Sequence, residues 1–150
     1  MAKIIRKELL KSISLTRNVL SKFNNKNISE GSFLILTTIE ENGIPNKEGV
    51  KWIKMSELAT VLNMSQSALT KNTKMLEKSG YIQKANDASD RRSKKIALTN
   101  NGEMKLEEAK KTIYDFPDQL INKLGEEDAS HLVRLLNKVL DIYRKGRMDL

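Results

Sequence analysis

The chain has 150 residues, which suits one domain with helical extensions and is long enough to bury a core. Lys and Arg outnumber Asp and Glu by 27 to 19, a net charge of +8 that favours nucleic acid or an anionic membrane as partner. The absence of Cys excludes disulfides, thiolate metal sites and thiol-based redox sensing.

The first third of the chain predicts two helices, a loop and a short strand. Apolar residues recur at helical spacing over residues 3–23. Ser29 is suited to cap a second helix that runs over residues 29–41. Two glycines, a proline and two asparagines predict a loop over residues 41–49, and the alternating segment 50–54 predicts a strand.

Two short helices follow, separated by a tight turn. We expect Ser56 to cap the first, over residues 56–62, whose apolar positions lie on one side. Asn63 suits the turn because it is one of the few residues other than glycine that adopt a positive φ at low cost. Ser65 is a natural cap for the second helix, which should end before Gly80, a favourable residue just beyond a helix C-terminus.

The remainder predicts a hairpin and further helices. Strands over 81–85 and 95–98 flank a polar, charged tip. A helix from Asn100 should break or kink near Pro117, and a last helix runs over 126–145. Two helices joined by a turn and followed by a basic hairpin make up a winged helix-turn-helix, so we predict a mainly α fold with a small β component, an α+β winged helix.

Positive charge is concentrated in this predicted motif. Residues 65–95 hold eight basic and three acidic side chains, whereas residues 99–128 hold eight acidic and four basic ones. The second helix of the motif also has a polar face with the reach to contact base edges and phosphates in a major groove. Its members are Gln66, Ser67, Thr70, Lys71 and Lys74.

Four segments resemble the multiple-antibiotic-resistance regulator (MarR) family. They are residues 55–59, 63–71, 76–82 and 90–102, and the last reads Asp-Arg-Arg-Ser-Lys-Lys-Ile-Ala-Leu-Thr-Asn-Asn-Gly. This last segment is similar to the family's wing signature, in which Asp-Arg-Arg precedes an alternating strand and Leu-Thr-x-x-Gly. The family usually has glycine where Asn63 stands, and apolar residues in place of Asn72 and Thr73.

The resemblance implies a single domain over residues 1–150. Dimerisation helices would lie at 3–23 and 126–146, a winged helix-turn-helix lobe at 29–98, and a connecting helix at 99–124. It implies a homodimeric regulator of transcription, expected to be a repressor, that binds a pseudo-palindromic operator in double-stranded DNA.

The resemblance also assigns residues to these roles. The DNA-binding residues would be Ser65, Gln66, Ser67, Thr70, Lys71, Lys74, Arg91, Arg92 and Lys94, with Asp90 shaping the wing. The dimerisation residues would be Ile5, Leu9, Ile13, Leu132, Leu136, Val139, Leu140 and Tyr143. The resemblance also implies a pocket for a small aromatic or anionic effector, whose binding would release the DNA. The candidate lining residues are Phe33, Trp52, Tyr114 and Phe116, with an ordinary core position as the alternative for each.

Other function classes receive less support. The sequence has no nucleophile–base pair, glycine-rich phosphate loop or cluster of metal ligands, and His131 is the only histidine, so we expect no enzyme, cofactor or metal. We also expect no membrane partner and a cytoplasmic location, because no apolar stretch approaches about 18 residues. The open alternative is a winged helix that binds another protein, although such a surface would favour apolar anchors over lysines.

Overall fold

The computed structural model describes residues 1–21 and 27–146 of the chain. They form two compact units, the first being Met1–Lys111 and the second beginning at Thr112. The helices are α1 (Ala2–Leu20), α2 (Glu30–Asn42), α3 (Met55–Leu62), α4 (Gln66–Lys78), α5 (Asn100–Ile113), α6 (Asp115–Leu124) and α7 (Glu126–Arg144), and the strands are β1 (Ile44–Pro45), β2 (Lys51–Lys54), β3 (Ile82–Asn86) and β4 (Lys94–Leu98). The predicted mainly helical class with a small sheet is confirmed.

The first two helices agree closely with the prediction. The helix expected over residues 3–23 is α1, which ends at Leu20, and residues 22 and 23 of that prediction lie outside the described residues. The Ser29 hydroxyl accepts a hydrogen bond from the backbone N–H of Ser32 at 3.1 Å, which confirms the predicted cap of α2.

The loop predicted over residues 41–49 contains the short strand β1, so this part of the prediction is wrong. The Asn46 side-chain oxygen accepts the backbone N–H groups of Glu48 and Val50, each at 3.0 Å. This tight turn brings β1 antiparallel to β2, with Ile44 opposite Trp52. A proline is tolerated in β1 because the strand lies at the sheet edge, where its missing donor costs no ladder hydrogen bond.

The predicted Ser56 cap is also wrong. The N-cap position of α3 is Lys54, whose backbone is extended because it is the last residue of β2. β2 therefore runs directly into α3, and Ser56 already lies within the first helical turn, where its side chain cannot act as the cap.

The four strands form one antiparallel sheet in the order β1-β2-β4-β3. The register places Ile53 opposite Ile96 and Ile82 opposite Leu98, and all four side chains are buried. This apolar face closes the core of the first unit together with side chains from four helices. They are Phe33, Ile35, Leu36 and Ile39 of α2, Leu58 of α3, Leu69 and Leu76 of α4, and Leu106 of α5.

The predicted break near Pro117 is confirmed. α5 ends at Ile113, and α6 begins two residues later with Tyr114 as its N-cap, which places Pro117 in the first turn of α6. A proline is accommodated there because backbone N–H groups of the first turn have no partner within the helix. Within the part of the chain that the structure describes, no helix is both long and apolar enough to cross a membrane.

Candidate nucleic-acid interface

The turn between α3 and α4 depends on one residue in the left-handed conformation. Asn63 has φ 49° and ψ 44°, and apart from glycines it is the only described residue with a positive φ. The following amide, Met64 N–H, donates to the carbonyl of Ala59 at 3.0 Å. The predicted role of Asn63 is therefore confirmed, and the turn reverses the chain within a few residues, so that α4 follows α3 directly.

Both ends of α4 are capped as expected from the sequence. At the start, the Ser65 hydroxyl accepts the N–H of Ala68 at 3.2 Å. At the end, Tyr81 N–H donates to the carbonyl of Leu76 at 3.0 Å and Gly80 N–H donates to Glu77 at 2.9 Å. Gly80, with φ +75°, permits this Schellman pattern, which fixes where α4 ends and β3 begins.

The inner face of α4 satisfies its own polar groups. Thr73 is completely buried, and its hydroxyl donates to the Thr70 carbonyl at 3.2 Å. The Asn72 amide donates to the Ala68 carbonyl at 3.0 Å. Asn72 and Thr73, the two residues of α4 that depart from the MarR pattern, therefore bond to the helix backbone, and α4 still packs on the core through Leu69.

The outer face of α4 is accessible along the helix. Each of the side chains predicted for DNA contact on this helix is exposed, namely Gln66, Ser67, Thr70, Lys71 and Lys74. Three more residues of α4 are exposed but were not predicted to contact DNA, namely Met75, Glu77 and Lys78. The spacing of Lys71, Lys74 and Lys78 at i, i+3 and i+7 is the signal that identifies Lys78 as a continuation of the basic row.

The hairpin carries its arginines at an ordered tip. Arg91, Arg92 and Lys94 are exposed. The Asp90 carboxylate accepts the backbone N–H of Arg92 at 2.9 Å, and the N–H of Ser93 donates to the Asp90 carbonyl at 2.9 Å. Asp90 therefore holds the backbone of the wing tip through its side chain and its carbonyl.

A second wing carboxylate, Asp87, was not singled out from the sequence. It accepts the backbone N–H of Ser89 at 3.0 Å and the Ser89 hydroxyl at 2.8 Å, and it forms an ion pair with Lys54 at 3.1 Å. These donors lower the pKa of Asp87 to about 2, with the Ser89 backbone bond as the largest cause. No motif signals this residue, because its ion-pair partner lies 33 positions earlier in the chain.

The base of the wing is locked to the start of α5. The Thr99 hydroxyl donates to the Gly80 carbonyl and accepts the N–H of Gly102 at 3.0 Å, while the Thr99 N–H donates to the Tyr81 carbonyl at 3.1 Å. A Cβ atom on Gly102 would lie 1.9 Å from the Tyr81 carbonyl oxygen. The segment Leu-Thr-x-x-Gly is thus the junction of α4, the wing and α5.

The residues predicted for dimerisation lie on α1 and α7, and neither helix buries a residue in the single chain. Their relative exposures run from 39% for Leu132 to 58% for Ile5 and Leu9. The full set on α1 is Ile5, Leu9 and Ile13, and on α7 it is Leu132, Leu136, Val139, Leu140 and Tyr143. Each helix therefore exposes apolar side chains that a monomer leaves in contact with water.

The four residues predicted for an effector pocket lie in different environments. In the first unit, Phe33 is buried in the core and Trp52 is half-buried, with Lys95 Nζ 5.0 Å from its ring centroid. In the second unit, Tyr114 is exposed and Phe116 is half-buried. No group of three or more His, Cys, Asp or Glu suited to a metal ion occurs among residues 1–21 and 27–146.

Comparisons with known proteins agree with this geometry. The MarR family model matches residues 28–94. The HTH-type transcriptional regulator PecS of Dickeya dadantii is 27% identical over 128 residues, which cover 85% of this chain and 74% of PecS. The transcriptional regulator BldR of Sulfolobus solfataricus is 27% identical with a TM-score of 0.72, covering 94% of this chain and 99% of BldR.

A third known structure has the same fold as this chain. A single-residue mutant of MarR from E. coli, solved in complex with operator DNA, is 23% identical with a TM-score of 0.69, covering 89% of this chain and 96% of that one.

Proposed function

We propose that this chain, which carries a MarR-family domain and is a transcription regulator rather than an enzyme, binds a pseudo-palindromic operator as a homodimer and represses transcription. In this proposal α4 enters the major groove. The wing arginines Arg91 and Arg92 enter the adjacent minor groove, where narrow A·T-rich segments attract guanidinium groups.

The observation that carries the proposal is the outer face of α4. The helix α4 is capped and packed on the core, and its outer face exposes hydroxyl, amide and ammonium groups. An exposed basic wing follows it directly. Ser67 and Thr70 have the short reach of groups that contact base edges or phosphates. Lys71 and Lys74 take part in none of the described ion pairs, so their charges are available to phosphates.

Homodimerisation is supported by the exposed apolar residues of α1 and α7. Burying them against a second copy would remove from water an apolar surface that the single chain leaves open on both helices. Two copies related by a two-fold axis would present two α4 helices to half-sites about 10 bp apart, which predicts a palindromic operator.

A small aromatic or anionic effector is the regulatory part of the proposal. A ligand that binds preferentially to one spacing of the two α4 helices would shift the dimer away from the spacing that fits DNA. Such a ligand should lower DNA affinity without dissociating the dimer.

The DNA-binding part is tested by fluorescence anisotropy with duplexes from the region upstream of the protein's own gene, over a salt series. We expect nanomolar binding that weakens steeply with salt, and a loss of roughly tenfold or more for Arg92→Ala. Lys111→Ala is the matched control, because it removes one exposed positive charge from α5 and should change affinity little. Equal, weak binding to every duplex by all three proteins would refute sequence-specific binding and favour a protein-interaction module.

The dimer is tested by sedimentation with Leu136→Glu and Asn137→Glu. Both variants introduce the same side chain one residue apart on α7, but only the first falls among the apolar residues. We expect dissociation for Leu136→Glu alone, and a monomeric wild type would refute the dimer.

A further inference from the structure

The sheet has an outer face, opposite the buried Ile53 and Ile96, that carries a cluster of charged side chains. The register places Lys54 of β2 directly opposite Lys95 of β4, which is in turn opposite Ala85 of β3. Asp87 follows the last residue of β3, and its N–H bond to the Ser93 carbonyl continues the pairing with the chain before β4, so alternation places its side chain on the same face as Ala85.

Two cations placed opposite each other across strands should repel and weaken the pairing. In the structure each of the two lysines is paired with a different group. Lys95 Nζ lies over the Trp52 ring, 5.0 Å from its centroid, and Lys54 Nζ lies 3.1 Å from the Asp87 carboxylate. The Asp87 side chain is only 14% exposed in this position, whereas Lys54 is 52% exposed. Asp87 therefore reaches back across the sheet to a residue at the start of α3.

Asp87 also closes the wing. Its backbone N–H donates to the Ser93 carbonyl at 2.9 Å, and its carboxylate accepts both the backbone N–H and the hydroxyl of Ser89. Residues 87–93 thus form a closed loop that contains Arg91 and Arg92. The Asp90 carboxylate holds the tip of this loop, and the Asp87 carboxylate holds its base and, through Lys54, ties it to the first helix of the helix-turn-helix.

We propose that Asp87 is a positioning residue for DNA binding, which sets the placement of Arg91 and Arg92 relative to α4. The inference rests on the proposed DNA-binding function. DNA affinity depends on whether an arginine reaches the minor groove at the same time as α4 occupies the major groove, so the rigidity of the link between wing and helix determines affinity.

The sign of the effect distinguishes positioning from simple charge. Asp87→Asn raises the net charge of the chain from +8 to +9. If the carboxylate acted only through its field, its removal near DNA phosphates would tighten binding and leave the salt slope unchanged or steeper. If it positions the wing, the same substitution weakens binding and makes the salt slope shallower, because the arginines no longer place their charges in the minor groove between the phosphates.

The experiment measures operator affinity and salt slope for wild type, Asp87→Asn and Glu57→Gln. Glu57 is an exposed carboxylate on α3 that takes part in none of the described ion pairs, so its variant reproduces the charge change without the anchor. We expect a loss of roughly tenfold for Asp87→Asn, as for one hydrogen bond to a charged group, and no loss for Glu57→Gln.

The melting temperature shows whether Asp87→Asn is folded. If it folds poorly, Ser89→Ala and an arginine-free background test the positioning role. Ser89→Ala removes the 2.8 Å hydroxyl bond without a change in charge and should weaken binding severalfold. In an Arg91→Ala, Arg92→Ala background, Asp87→Asn and Ser89→Ala should have no effect on affinity, because the residues that they position are absent.

The outcomes separate the two proposals. If wild type does not bind any duplex specifically, the proposed function fails. If wild type binds and Arg92→Ala weakens it, but Asp87→Asn and Ser89→Ala bind as well as wild type or better, only the positioning role is overturned. A loss that persists unchanged in the arginine-free background also overturns it, since the effect would then not act through the arginines.

Discussion

Replacing Gly102 by Ala would place a methyl group against the backbone of the preceding hairpin. The Cβ atom would lie 1.9 Å from the Tyr81 carbonyl oxygen and 2.8 Å from its carbonyl carbon. Ordinary C···O contacts are about 3.3 Å or longer, so the two backbone segments would have to separate by more than about 1 Å. Neither neighbour is a flexible side chain, and the strain cannot be relieved by a change of rotamer.

The expected change in the free energy of unfolding combines two destabilising contributions and one stabilising contribution. Overpacking typically costs about 1–3 kcal/mol. Moving α5 away from Tyr81 also breaks the Thr99 N–H bond to that carbonyl and disturbs the Thr99 cap, at about 1 kcal/mol for each hydrogen bond. Alanine is a better helix former than glycine by about 1 kcal/mol, which offsets part of the loss. The net expectation is destabilisation by about 2–4 kcal/mol.

Urea and thermal denaturation at one fixed protein concentration measure this effect, because the stability of the proposed dimer would depend on concentration. We expect the melting temperature of Gly102→Ala to fall by roughly 5–15 °C. Gly31→Ala is the matched control, since Gly31 lies in the first turn of α2 with no atom within 4 Å of its Cβ position. The Gly31→Ala variant should be more stable than wild type by about 0.5–1 kcal/mol. Equal stabilisation of both variants would refute the argument from close approach.

Three other predictions concern individual groups. Thr73→Val should raise the free energy of unfolding by about 0.5–1 kcal/mol in urea melts, because a fully buried hydroxyl becomes a methyl group; a loss above about 1 kcal/mol would contradict this. Lys110→Gln should lower stability by about 0.5–1 kcal/mol through loss of the 2.7 Å ion pair with Glu40, whereas Lys111→Gln should not. The Glu107 and Glu40 carboxylates raise the pKa of Lys110 above its usual 10.5, so that difference should be fully present below about pH 10 and be lost only above the usual pKa; its disappearance by about pH 9 would refute the assigned pKa direction. Asp87, whose pKa is lowered to about 2, should remain ionised between about pH 5 and 3 in a carboxyl NMR titration, so its ion pair is lost only as pH falls towards 2; a midpoint near 4 would contradict the bonding described.

Local chemistry explains why much of the helix-turn-helix could be predicted. Ser29 and Ser65 cap helices with bonds to residues three positions away, and Asn63 and Gly80 adopt backbone conformations that few residue types tolerate. Each of these features depends on a few neighbouring residues, so the amino-acid order is sufficient to identify it. The exposed face of α4 follows in the same way from the helical period.

What the amino-acid order could not supply are pairings between distant segments. The bond between Asp87 and Lys54 depends on β2 and β3 both pairing with β4, which no local pattern encodes. Two other errors were local: the strand β1 forms because Asn46 closes a tight turn that pairs it with β2, and Ser56 fails as a cap because β2 runs directly into α3. Short-range chemistry is sufficient for the helices, most of their caps and the exposed basic face of α4, so the amino-acid order predicts them. The pairing of β2 with β4, the anchor of the wing and the close approach at Gly102 emerge only in the fold, because each requires two segments far apart in the chain to meet.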